Sequence, residues 1–151
     1  HTAYRRQRQM CIRDRFHLDL AYQPLYATTK DPVLYTGMAL ENARNGRPLL
    51  SPIELYQQLT AGDSLQVIDV RSQKQYEQQH IETAISMPLG EIRKRLAELD
   101  PTMPTVVYCN KGVTGNAAQN LLLNMGFETV YNLSGGHKNY QLVKTYLQQN
   151  G

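Results

Sequence analysis

The sequence has few cysteines and no long apolar run, and both absences exclude classes of protein. Its 151 residues include only two cysteines, Cys11 and Cys109, without C-x-x-C spacing. Two such cysteines cannot form a disulfide scaffold, and no structural metal site is expected. No apolar run reaches the roughly 18 residues of a membrane helix, and no secretory core follows a basic start. We therefore expect a soluble, cytoplasmic protein that does not contact a membrane.

The positive charge is concentrated at the start of the chain. Residues 1–15 hold five of the arginines and one aspartate, which leaves 11 of the 16 basic and 12 of the 13 acidic residues for the rest. A basic arm can tether a nucleic acid or a membrane. This arm lacks amphipathic spacing, however, and it resembles translated sequencing-adapter read-through. We predict that residues 1–15 are non-native or disordered and that nucleic acid is not a partner.

Residues 16–50 differ in character from the rest of the chain. They are rich in proline and tyrosine and contain one short helical stretch, which predicts a linker or the tail of a preceding domain. The sequence Ser51-Pro52-Ile53-Glu54 then provides an N-cap, a proline at the first helical position and a capping-box glutamate. A helix is therefore predicted to begin there and to end near Gly62, as the start of a domain over residues 51–151.

From residue 65 onward, β-branched runs alternate with helical patterns. Strands are predicted at 65–70, 83–88, 105–109 and 129–132. Helices are predicted at 72–79, at 90–99, from about Asn116 to Gly126, and from about His137 to Gln149. This alternation predicts an α/β fold with a parallel β-sheet flanked by helices on both faces, preceded by an N-terminal arm.

Cys109 lies at the carboxyl end of a predicted strand, where ligands collect in open parallel sheets. Gly112 and Gly115 predict a tight loop after it, and the positive end of the helix from about Asn116 points toward the same place. Inward-facing N–H groups of such a loop bind anions. A thiolate is an anion, so these groups and Lys111 favour the ionised, nucleophilic form of the sulfur.

Three chemistries use a cysteine in such a loop. Phosphoryl transfer needs an arginine at the far end of the loop, where this sequence has Thr114 and Gly115. Acyl transfer needs a nearby base; His80 and His137 are candidates, but nothing in their spacing places either beside Cys109. Sulfur transfer needs only a nucleophilic sulfur and a cage of N–H donors, so it fits the loop best.

The loop "CNKGVT" resembles the catalytic loop of rhodanese-type sulfurtransferases, and "VIDVR", "YEQQHIETAISMP" and "VYNLSGG" are similar to other landmarks of that family. The likeness extends over roughly residues 50–148. It implies a rhodanese-like fold and a catalytic cysteine that carries sulfur as a persulfide. The implied site consists of catalytic Cys109 and the substrate-binding residues Asn110, Lys111, Gly112, Val113, Thr114 and Gly115.

The same resemblance implies roles for residues outside the loop. Asp69 and Arg71 are expected to form a structural charge pair after the first core strand, and His80 belongs to a histidine-isoleucine element. Small sulfur donors (thiosulfate, polysulfide or persulfide) and thiol acceptors are the implied partners. Asn110 stands where the family often has an arginine that helps to hold thiosulfate. A catalytically weak binding or regulatory module is therefore the alternative function.

A second resemblance covers residues 18–46. The sequence "LDLAYQPLYATTKDPVLYTGMALEN" is similar to the end of the dimerisation domain of flavin-dependent pyridine nucleotide-disulfide oxidoreductases, in particular the coenzyme A-disulfide reductase and NADH oxidase group. Some members of that group carry a C-terminal rhodanese domain. The chain contains no G-x-G-x-x-G fingerprint. We therefore expect no cofactor in this fragment, FAD and NADH in a preceding part, and a homodimer formed through the full-length enzyme.

Overall fold

The computed structural model describes residues 40–42 and 44–150, and the chain divides into two compact units, His1–Gly46 and Arg47–Gly151. In the first unit, residues 40–42 and 44 are helical. The predictions for residues 1–39, which include the basic arm and most of the oxidoreductase-like tail, lie outside the described residues. The second unit contains the sheet.

The second unit is built around a five-stranded sheet in which every paired strand is parallel, in the order β1-β5-β4-β2-β3. The strands are β1 (Leu49–Leu50), β2 (Gln66–Asp69), β3 (Ile85–Ser86), β4 (Thr105–Tyr108) and β5 (Val130–Leu133). The helices are α1 (Pro52–Ala61), α2 (Gln73–Gln78), α3 (Val113–Asn124) and α4 (Gly136–Asn150).

Local signals place α1 where the sequence predicts it. The Ser51 hydroxyl accepts a hydrogen bond from the Glu54 N–H at 3.2 Å, and the Glu54 carboxylate accepts one from the Ser51 N–H at 2.9 Å. This capping box satisfies donors that have no partner inside the helix. At the other end, Gly62 adopts the left-handed conformation with φ of 77° that commonly ends helices.

The sheet separates two layers of core side chains. Ile68 and Val107 pack on one face with α3 residues such as Leu122, whereas Val67 and Val106 pack on the other face with residues of α1 and α4. Successive strand residues point to opposite faces, so burial on both faces explains why these strands are almost entirely apolar. The predicted parallel sheet with helices on both faces is confirmed.

Three details differ from the predictions. The helix predicted over 90–99 is wrong: the chain there forms successive turns and one 3₁₀ helix, Leu96–Glu98. Ile92 and Leu99 are nevertheless buried, because the turns direct the same apolar residues into the core. α3 begins at Val113, three residues before the predicted start. The two-residue strand β1, which sequence reasoning missed, pairs with β5 and adds to the sheet before residue 51.

Two features are absent from the described part of the chain, residues 40–42 and 44–150. None of its helices combines the length and the apolarity needed to cross a bilayer. Nor do three or more of its histidine, cysteine, aspartate or glutamate side chains cluster in a way that could hold a metal ion.

We predict that Thr83→Gly stabilises the protein. Thr83 has φ of 67°, a left-handed conformation that costs a residue with a side chain about 1–2 kcal/mol. Glycine removes that strain but loses about 0.5–1 kcal/mol of backbone entropy on folding. Thermal melts should show a midpoint raised by a few degrees. A lowered midpoint would mean that the threonine side chain contributes more than its backbone strain costs.

Candidate active site

The sheet opens a crevice between the carboxyl ends of β2 and β4. β2 connects through α2 to β3 on one side, whereas β4 connects through α3 to β5 on the other side. Crossovers that leave neighbouring strands in opposite directions place their helices on opposite faces and leave a gap between the strand ends. Arg71 follows β2 and Cys109 follows β4, so this topology brings both residues to the gap.

The sulfur of Cys109 lies at the base of the loop that joins β4 to α3. Cys109 is buried, with 6% of its surface exposed, and the Gly112 N–H donates to its Sγ at 3.1 Å. Gly112 is the N-cap of α3 and has φ of 101°, which glycine adopts without steric cost. The first-turn amides of α3 have no partner inside the helix, and this end of a helix favours negative charge. The loop therefore directs the Gly112 donor at the sulfur and the positive end of α3 toward the same region.

A pocket of about 490 Å³ opens above the sulfur. Its walls come from the ends of both strands, from the loop and from the first turns of α2 and α3. The lining residues are Val70, Arg71, Ser72, Gln75, Cys109, Asn110, Lys111, Val113 and Thr114.

The structure brings together most of the predicted substrate-binding residues. Asn110, Lys111, Val113 and Thr114 line the pocket, and Gly112 contributes its amide to the sulfur. Gly115 does not line it, because it is buried in the first turn of α3 against the side chain of Asn132. Sequence reasoning assigned Gly115 to the loop because it placed the start of α3 three residues too late.

Asp69 and Arg71 form a buried ion pair. The Arg71 Nε and Nη2 atoms donate to the Asp69 carboxylate at 2.9 and 2.6 Å, and the two side chains are 5% and 0% exposed. Burial by itself lowers the pKa of Arg71, but the hydrogen bonds and charge of Asp69 outweigh it and raise that pKa. The guanidinium therefore stays charged, and its charge is balanced by Asp69.

Arg71 also forms one wall of the pocket. Its Nη2 donates to the Gln79 carbonyl at 2.6 Å, and its Nη1 donates to the Asn110 Oδ1 at 3.4 Å. These bonds connect the end of β2, the end of α2 and the loop after β4. The sequence predicted Arg71 only as a structural partner of Asp69. Its position directly after a strand, beside the cysteine strand in the sheet, is the signal that would have placed it at the pocket.

The rings of the two histidines considered as bases are not paired with the Cys109 sulfur. His80 is exposed, stacks on Tyr76 at 4.1 Å between ring centroids, and has its Nδ1 2.9 Å from the Tyr76 carbonyl. His137 is buried, and its ring Nε2 lies 3.2 Å from the Gln141 amide nitrogen. Neither ring is hydrogen-bonded to the Cys109 sulfur within the part of the chain that the structure describes. Among the described residues, neither histidine is therefore placed as the hydrogen-bonded base that acyl transfer uses.

The position of the cysteine loop, between two crossovers of a parallel sheet, is accompanied by a match to a known protein family. The family described as the Rhodanese-like domain matches residues 51–142. The chain belongs to this family. The resemblance predicted from the "CNKGVT" loop is therefore confirmed, and the match runs from α1 through β5 into the first half of α4.

Similar proteins include named sulfurtransferases and larger reductases. The rhodanese-like domain is 39% identical over 79 residues to the thiosulfate sulfurtransferase PspE of Escherichia coli, covering 51% of this chain and 75% of that protein. It is similar to reduced CoADR-RHD of Bacillus anthracis (TM-score 0.78, 30% identity, 96% of this chain covered). It also resembles an NAD-dependent persulfide reductase of A. fulgidus (TM-score 0.68, 34% identity, 86% covered). The chain spans only 26% and 23% of those two structures.

We predict that Asp69→Asn destabilises the rhodanese-like domain by about 3–5 kcal/mol, because it leaves the buried Arg71 charge unpaired. Chemical denaturation measures this loss. Glu98→Gln is the matched control: it removes one of the two carboxylate partners of the more exposed Arg95, whose ion pairs solvent already screens. Equal losses in the two variants would contradict the assignment of Asp69 and Arg71 as a stabilising pair.

We predict that stability decreases as the pH falls below about 6.5, partly through His137. Burial, with the nearby Arg71 charge, lowers the pKa of His137 from the ordinary value of 6.5. As the pH falls through that value, the unfolded chain binds a proton that the folded chain does not, which favours unfolding. Melts of His137→Gln between about pH 7 and pH 5 should lose this component, whereas His80→Gln should keep it. If stability depended on pH equally in both variants and in the wild type, His137 would not be a source of the pH dependence.

Proposed function

We propose that this domain transfers sulfane sulfur through a persulfide on Cys109. The observation that carries the proposal is the buried Cys109 sulfur at the base of an open pocket, with the Gly112 amide directed at it. A persulfide anion needs a nucleophilic sulfur and N–H donors around it. No proton-accepting side chain is needed, which is consistent with the His80 and His137 rings making no hydrogen bond to the Cys109 sulfur among the described residues.

The transfer has two balanced steps. The Cys109 thiolate attacks the outer sulfur of a donor, a new S–S bond forms, and the donor's own bond to that sulfur breaks. Its electron pair leaves with sulfite when the donor is thiosulfate, or with a thiolate when the donor is a persulfide. An acceptor thiolate then attacks the outer sulfur of the Cys109 persulfide and regenerates the Cys109 thiolate. No electrons are gained or lost overall.

The charges around the pocket favour donors of low charge. Arg71 lines the pocket, but Asp69 balances its charge, and its Nη1 faces Asn110. Lys111 is exposed and adds one positive charge. Thiosulfate carries two negative charges, whereas a persulfide or the end of a polysulfide carries about one, so the pocket is better matched to the latter donors. The named relative that acts on thiosulfate supports the general class of sulfur donor.

The likeness to CoADR-RHD and to the persulfide reductase supports a wider context for the domain. In this proposal the domain is the C-terminal part of a flavin-dependent enzyme that reduces persulfides, polysulfides or coenzyme A disulfides, with FAD and NADH bound in a preceding part. Homodimerisation would then belong to the full-length enzyme. The described residues supply only the sulfur-carrying cysteine and its pocket.

Mass spectrometry of the intact protein tests the proposed transfer. After incubation with a persulfide or polysulfide donor, the wild type should gain one sulfur atom, because Cys109 retains it as a persulfide. Cyanide should remove the added sulfur, and Cys109→Ser should not gain it, whereas the matched Cys11→Ser variant should. An unchanged wild-type mass with these donors and with thiosulfate would instead favour a binding or regulatory module.

A further inference from the structure

The catalytic loop rests on the junction between β5 and α4. The His137 N–H donates to the Cys109 carbonyl at 2.8 Å, and the Asn132 side-chain amide donates to the Gly112 carbonyl at 3.0 Å. Gly136 packs so closely that a Cβ there would overlap the Cys109 carbonyl oxygen. A segment remote in sequence therefore contacts both the cysteine and the residue whose amide bonds its sulfur.

Asn132 is hydrogen-bonded to Gly112, the glycine that begins α3. Gly112 donates to the Cys109 sulfur through its N–H and accepts from Asn132 and from the Asn116 N–H through its carbonyl. Glycine has access to a wider range of backbone angles than other residues, so its orientation has to be fixed from outside. The carbonyl and the N–H of Gly112 belong to neighbouring peptide planes that meet at its Cα. The bond from Asn132 helps to hold the carbonyl plane, which leaves fewer orientations open to the plane that carries the N–H.

The packing shows that this approach of Asn132 depends on a second glycine. A Cβ on Gly115 would overlap the Asn132 Oδ1 atom, so only glycine lets the amide lie under the loop. Asn132 is 4% exposed, and its Oδ1 has no hydrogen-bond partner among the described residues. An unpaired buried oxygen is unfavourable, because it has lost its hydrogen bonds to water without gaining a partner. The hydrogen bond to Gly112 is therefore the only one that this side chain makes among the described residues.

We propose that Asn132 is a positioning residue that fixes Gly112 so that its amide faces the Cys109 sulfur, with Gly115 providing the space that it needs. This inference deepens the proposed sulfur transfer and rests on it. Asn132 touches neither the pocket nor the sulfur. Its contribution is the orientation of the donor that stabilises the charged sulfur.

The test compares Asn132→Leu with Gln119→Leu, both in a Cys11→Ser background so that Cys109 is the only thiol. Gln119 is a matched control because it is also a buried amide, and it donates to the Pro48 and Val130 carbonyls without contacting the loop. Single-turnover mixing with a persulfide donor gives the maximal rate of sulfur uptake and the half-saturating donor concentration. Thermal melts of the same variants give the loss of stability.

Asn132→Leu should lower the maximal rate by about tenfold to a hundredfold, because a misdirected amide stabilises the charged sulfur less. The half-saturating donor concentration should change little, since the pocket is intact. Gln119→Leu should lower the melting midpoint but leave the rate unchanged. A rate that is unchanged in Asn132→Leu, or that falls equally in both variants, would overturn the inference.

Gly115→Ala tests the same contact while keeping the asparagine. It should slow sulfur uptake by displacing Asn132, and the double variant with Asn132→Leu should be no slower than either single variant, because both changes break one contact. If the rate loss of the double variant equalled the product of the two single losses, Gly115 and Asn132 would not act through one contact. Gly115→Ala also replaces Asn132→Leu as the decisive variant if the latter does not fold.

Failure of sulfur transfer itself would be recognised separately. If the wild type takes up no sulfur, the proposed function fails, and the rate of Cys109 alkylation by iodoacetamide becomes the measure of positioning. Slower alkylation in Asn132→Leu than in Gln119→Leu would then still support the restraint on Gly112. Equal alkylation rates would overturn it.

Discussion

The hydrogen bond from the Gly112 amide to the Cys109 sulfur depends on structure gathered from most of the domain. β4 places the cysteine at the carboxyl edge of the sheet, and the left-handed Gly112 turns the chain into α3 within three residues. The sheet order places the end of β2 opposite, which completes a pocket instead of an open edge. The hydrogen bond to the sulfur therefore forms only when the strands, the loop and the helix are correctly assembled.

The buried ion pair between Asp69 and Arg71, beside this contact, differs in its energetics from an ion pair on the surface. Asp69 and Arg71 are almost fully buried, so their mutual attraction has to offset the loss of hydration of both groups. Three further acceptors and contacts, on Gln79, Asn110 and the Tyr108 ring, fix the guanidinium in place. The result is a rigid corner between β2 and the loop, which a flexible surface lysine could not provide.

Sequence reasoning succeeded where the determinants are local. The Ser51-Glu54 capping box, the buried β-branched strands and the cysteine at a strand end are all determined within a few residues, and each is found where predicted. It failed where distant packing decides. Ile92 and Leu99 have helical spacing but reach the core from turns, and β1 is two residues that become a strand only because β5 is beside them. Asn132 and Gly112 are hydrogen-bonded although they lie 20 residues apart in sequence, and no local sequence pattern predicts this contact.

Among the described residues, the strands at the two edges of the sheet, β1 and β3, are only two residues long. Long exposed borders of a sheet present rows of unpaired peptide groups that recruit foreign strands and lead to aggregation. Here each border offers too few peptide groups to template such growth. A unit with blunted borders can be joined to other folded partners in one polypeptide without mispairing during synthesis, which suits a module that recurs within much longer chains.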